Sequence, residues 1–299
     1  MQSKVLLGTT KGLYEIDGAQ PGFAGHEVQA IAPDGSYVWT IINGRELWQS
    51  DSNGVETKVA TLKSGKARCL LSASSGLLVG TSEAHLLVLQ GDKLVPIRSF
   101  DTAPGRESWH TPWGAPPDVR SMAADPSGRL YVNVHVGGIV RSVDNEKSWM
   151  PTIDIHADVH EVYVDRTSGL LLAATARGLA VSTDGGESWR FETDGLHGSY
   201  ARAVAVAGET ILLTASTGPS SKSAAVYRKQ VGSNAPFERC REGLPEWFSR
   251  NIDTRCLVAS GARAVFGTST GEVFVSENEG RSWHMVAQGL PPVRCVSLM

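Results

Sequence analysis

One apolar pattern recurs seven times along this chain, and that recurrence limits what it can fold into. The copies are "VQAIA" from Val28, "ARCLL" from Ala67, "VRSMA" from Val119, "VHEVY" from Val159, "ARAVA" from Ala201, "TRCLV" from Thr254 and "VRCVS" from Val293. In six cases a second short apolar run follows within about ten residues, from "YVWTII" after the first copy to "RAVFGT" after the sixth. Runs of about five residues, bounded by turn formers and lacking helical periodicity, are β-strands. Units of roughly 35–45 residues built this way are the blades of a propeller, each a four-stranded sheet. The seventh copy ends the chain at Met299, and the second- and third-strand patterns it needs, "KVLLGTT" and "GLYEID", stand at the other terminus. Pairing the two ends closes a ring and leaves no exposed sheet edge. The expected architecture is all-β, a seven-bladed propeller in one domain, 1–299, with the closing blade shared between the termini.

The charge balance bears on partners. A formal net charge of −3 on 299 residues, with 20% charged residues, argues against a general nucleic-acid or membrane-surface binder. No apolar run approaches the roughly 20 residues of a membrane helix. The first residues, "MQSKVLLGTTKGLYEID", lack the apolar core of a signal peptide. Cys69, Cys240, Cys256 and Cys295 show no metal-ligand spacing, and three of them follow an arginine inside apolar runs, so buried reduced thiols and a cytoplasmic location are expected.

A second repeat lies between third and fourth strands. "STDGGESW" runs from Ser182 to Trp189, with looser copies "SVDNEKSW" from Ser142 and "SENEGRSW" from Ser276 and a remnant, "SDSNG", from Ser50. Ser and Asp oxygens accept bonds from nearby backbone N–H groups, Gly supplies positive φ, and Trp packs between blades, so the motif reads as a hairpin turn. It departs from its own pattern at Glu146, where Gly is expected, and at Asn278, where Asp is expected. These residues resemble the Asp-box, or BNR, repeat of sialidase-like and glycosyl hydrolase-like propellers. The resemblance implies a scaffold role for the boxes, on the face opposite the ligand site.

Chemistry is therefore expected where the first strands begin, near the axis. Aligned, those strands give one column: Gln29, Arg68, Arg120, His160, Arg202, Arg255 and Arg294. Two residues earlier, on the same side of a period-two strand, stand Glu27, Lys66, Asp118, Asp158, Tyr200, Asp253 and Pro292. Guanidiniums suit carboxylate or phosphate, and the resemblance adds that sialidases hold a substrate carboxylate with three arginines. No Arg-Ile-Pro precedes the first box here. The longest insertion, from Asp101 to Pro117, offers Trp109, His110 and Trp113 as pocket walls, and a second, from Arg241, offers Trp247.

His135, His156 and His197 join His110 and His160 on the same face. His160 or His110 could serve as a general base or acid, and two or three of the five could bind a divalent metal; no other cofactor is expected. Two classes of function follow. The first is an enzyme on a small anionic, carboxylate-bearing substrate such as an acidic sugar. It would be a glycoside hydrolase using Asp118, Asp158, Asp253 or Glu107, or a uronate-type lyase in which His160 or Tyr200 moves the proton. The second is a non-catalytic propeller that binds a metabolite or a protein partner.

Overall fold

The computed structural model describes residues 4–16, 18 and 20–299. Seven antiparallel sheets form a ring, six of four strands and one of three. The innermost strands are Val293–Leu298, Val28–Asp34, Ala67–Ala73, Asp118–Ala124, Val159–Val164, Tyr200–Ala207 and Leu257–Ser260. Each lies against the next, and the last against the first. We number the blades one to seven in that order. Blade one is the shared blade: Val5–Thr9 pairs with Val293–Leu298 on one side and with Gly12–Glu15 on the other. In place of a full fourth strand it has a single bridge, Leu13 to Gly22. The seven-bladed ring closed by both termini is thus observed. Among the described residues no helix is long and apolar enough to cross a membrane.

Between blades the packing is apolar. Leu78, Leu86, Leu130, Val132 and Val140 are buried between blades three and four. Gly80 shows how closely sheets approach: a Cβ there would stand 2.4 Å from Val119 Cγ1. The four cysteines are buried free thiols, and burial pushes Cys69 up to about 12.

The three Ser-x-Asp turns share one bonding scheme. Ser182 Oγ accepts from the Gly186 N–H at 2.8 Å, and Asp184 accepts from the Ser188 N–H at 3.0 Å and from its hydroxyl. Ser142 with Asp144, and Ser276 with Asn278, repeat it. The hydrogen bonds from Ser148 to Asp144 hold that carboxyl down at about 2.

The insertion after blade three corrects one expectation. Arg98–Asp101 is a single helical turn and Arg106–Ser108 a 3-10 turn. They drive Phe100, fully buried, and Trp109, 8% exposed, into the seam between blades three and four. There Phe100 meets Trp149, the tryptophan that closes the Ser142 turn, edge-on at 5.0 Å. Trp109 is therefore a core residue and not a pocket wall: its apolar ring contributes more stability in the seam than it would lining a polar cup.

Candidate functional site

Every axial side chain in the aligned column except Arg255 is placed by the same backbone irregularity. In blade two, Val28 faces Ile42 and Ala30 faces Ile41, so Gln29 has no partner across the ladder. The same extra residue is Arg68 in blade three, Arg120 in four, His160 in five, Arg202 in six and Arg294 in one. A β-bulge of this kind re-aims one side chain, and here it adds up to a ring around the axis. In blade seven the inner strand begins only at Leu257, and Arg255 sits instead in a turn at φ 64°. This corrects the reading of "TRCLV" as a strand throughout. Arg255 is a plug and not a member of the ring. Its guanidinium donates to the carbonyls of Gln29, at 3.1 Å, and Arg68, while its own N–H donates to Glu161. Glu161, which the sequence reading passed over, also accepts from the Val204 N–H, and burial lifts its carboxyl to about 8.

On the side where the inner strands begin, the axis opens into a cup of about 710 Å³. Eight cationic side chains line it against two carboxylates, Glu27 and Asp253, and Arg68 reaches a third, Asp118, outside the lining. Pairing runs from one blade to the next: Arg294 with Glu27 at 3.1 Å, Arg68 with Asp118 at 2.9 Å, Arg202 with Asp253 at 2.9 Å. Arg120 breaks the rule and reaches across the axis to Asp253 at 3.1 Å. Arg120 Nη2 and Arg202 Nη1 both donate to one oxygen, Asp253 Oδ1, so two guanidiniums share one charge. Burial works to raise the Asp253 carboxyl, yet the two guanidiniums outweigh it and hold the group well below the usual range. Burial dominates at Asp118, whose carboxyl is raised despite Arg68. Lys66, Lys222 and Arg250 stand exposed at the rim, with no ion pair among the described residues.

His135, Asp158 and His160 gather beside the cup. His135 Nε2 lies 3.0 Å and His160 Nε2 3.7 Å from the Asp158 carboxylate. Burial first, then Arg120 and Arg202, press the fully buried His160 imidazole down to about 3. Tyr200 packs on His160 with ring centres 4.6 Å apart and is 3.2 Å from Arg202. Trp113, 64% exposed, leans over His135 at 5.7 Å.

The remaining candidates lie elsewhere. His110 is exposed and turned to the Ser108 carbonyl. Trp247 stacks on His197 and under Arg239, at 4.5 and 4.3 Å, outside the cup. His197 is held by Tyr227 and the Ser223 carbonyl, and His156 is exposed on a 3-10 turn. None of these four side chains lines the cup.

The sequence matches no protein-family model and no curated protein. Solved structures similar to it share the fold. An ancestral GH74 enzyme superposes with a TM-score of 0.63 at 13% identity over 100% of this chain, which spans only 40% of that one. YCF48 from Cyanidioschyzon merolae gives 0.61 at 15% identity, over 92% of each chain. YCF48 bound to D1 peptide gives 0.59 at 12% identity, over 93% of this chain and 86% of that one. At such identities the likeness is one of architecture, and the chain is a seven-bladed β-propeller.

Proposed function

We propose that the axial cup binds a small anionic molecule, one bearing a carboxylate above all. The observation that carries this reading is the surplus of positive charge that the bulges collect: Arg120 and Arg202 share a single carboxylate oxygen, and the rim cations have none. Uncompensated guanidiniums in a half-enclosed cup are costly unless an anion arrives. The planar donor pairs of Arg120 and Arg202 suit a carboxylate, and Lys66, Lys222 and Arg250 would steer it in. The cup's volume is that of a ligand of drug-like or disaccharide size.

The arrangement favours binding over carboxylate-pair hydrolysis. Asp253 and Asp118 each hold an arginine, and a general acid for glycoside cleavage needs a free, raised carboxyl opposite a second one. The reading is tested by calorimetric titration with digalacturonate, sialic acid and inorganic phosphate at low salt. Saturable binding is expected, weakening as ionic strength rises. The exposed triple variant K66A/K222A/R250A should lose at least about tenfold in affinity, an amount worth about 1.4 kcal/mol. Absence of saturable binding by all three probes, or full affinity in the triple variant, would refute it.

A further inference from the structure

Beside the cup, and distinct from its cationic ring, the ligand-bearing atoms of three side chains converge. We propose that His135, Asp158 and His160 form a binding site for one divalent transition-metal ion of the zinc, cobalt or iron(II) class. The three residues come from neighbouring blades. His135 ends the second strand of blade four, Asp158 precedes blade five in a left-handed conformation at φ 51°, and His160 is that blade's bulge residue. One donor atom from each lies within 4.8 Å of the other two.

The hydrogen-bond geometry carries the argument. His160 Nδ1 stands 2.6 Å from the Ala201 carbonyl, which can only accept, so Nδ1 bears the proton. Nε2 is then a bare lone pair. It is buried at 0% exposure, has no hydrogen-bond partner among the described residues, and faces a carboxylate oxygen 3.7 Å away. Two electron-rich atoms held face to face repel unless a cation lies between them. The neutral imidazole with its second nitrogen fixed by a backbone carbonyl is the outer-shell arrangement that metal-ligating histidines use.

The dimensions suit an ion. Bonds of about 2.1 Å place two tetrahedral donors about 3.4 Å apart and at most about 4.2 Å. Two of the contacts here are 3.0 and 3.7 Å, and the widest separation leaves about half an ångström to close. Two imidazole nitrogens with one carboxylate select transition metals over magnesium or calcium, which prefer all-oxygen sites. Asp158, with its side chain 31% exposed, gives a solvated ion its approach.

The test uses the full chain stripped with EDTA and titrated with Co²⁺, read by its visible absorption, and with Zn²⁺ by calorimetry. One ion per chain, bound at micromolar Kd or tighter, is expected. D158N and H135Q should each weaken binding at least tenfold while circular dichroism stays that of the parent. H110A/H284A, which removes exposed histidines, should leave it intact, as should K66A/K222A/R250A, so this site and the anion cup can fail separately. Absence of saturable binding, undiminished affinity in both D158N and H135Q, or equal competition by Mg²⁺ would each overturn the assignment.

Discussion

At the scale of single residues, the three Ser-x-Asp turns are an internal experiment in left-handed backbone. The turn needs two consecutive residues at positive φ. They are Gly185 and Gly186 in one copy, Glu279 and Gly280 in another, and Asn145 and Glu146 in the third, the last two at 57° and 59°. A left-handed L-residue costs about 1–2 kcal/mol, part of which Gly returns through unfolded-chain entropy. Glu146 recovers something through its carboxylate, which accepts from Ser75 Oγ at 2.8 Å, but that contact is exposed. Exposed hydrogen bonds of this kind contribute little, so strain wins. Glu146→Gly should therefore stabilise the protein by roughly 0.5–1 kcal/mol, seen as a higher urea midpoint with unchanged slope. A lower midpoint would mean that the Ser75 contact outweighs the backbone strain.

At the scale of strands and blades, close approach of sheets is set by what the second strand omits. Gly80 faces the first strand of the next blade, and an added methyl group would meet Val119 Cγ1 at 2.4 Å and Cys69 Sγ at 2.6 Å. Both neighbours are buried and neither can swing to solvent. Gly80→Ala should thus cost about 1–3 kcal/mol by overpacking, measured by thermal or urea unfolding; an unchanged midpoint would show that blades three and four can slide apart freely.

The element scale is also where the sequence was most and least informative. Seven first strands were legible because the apolar runs repeat, and the aligned column of Arg, His and Gln was legible with them. The bulge that turns the column toward the axis was not, since period-two alternation presumes an unbroken ladder and an extra residue leaves no compositional mark. Arg255 illustrates the cost. It matches the column by alignment, yet its left-handed turn makes it a plug. Asp158 and His160 are two apart and could be paired on sight. His135 joins them only through the adjacency of blades, which no local spacing records. Trp109 was misplaced for a related reason: whether an aromatic in an insertion turns to solvent, to the cup or into a seam depends on cavities made by distant residues.

At the scale of the whole molecule, the ring has one seam made by chain ends rather than by a continuous chain. Lys4 and Met299 exchange both backbone hydrogen bonds at 3.0 Å, and the ladder runs on from there through Val5 and Leu298 to Thr9 and Val293. Val293, Cys295 and Val296 are all at most 5% exposed, and Val293 packs against Gly267 of blade seven. At about 1.5–3 kcal/mol for each buried apolar side chain, this strand alone contributes an amount comparable to the 5–15 kcal/mol by which a whole domain exceeds its unfolded chain. Its removal also uncovers the edge of Val5–Thr9 and one face of the last blade. Deleting residues 293–299 should accordingly abolish the cooperative unfolding transition and produce a species that binds a hydrophobic dye and associates on a sizing column. A single domain in which each blade touches only two neighbours admits another outcome: six blades hold as an open arc wherever nearest-neighbour packing suffices. The two behaviours are distinguishable by the urea slope, which scales with surface exposed on unfolding. Retention of a cooperative transition with a nearly parental slope in the deleted chain would show that closure of the ring is dispensable, and with it the argument that the axial cup owes its geometry to a closed circle of seven bulged strands.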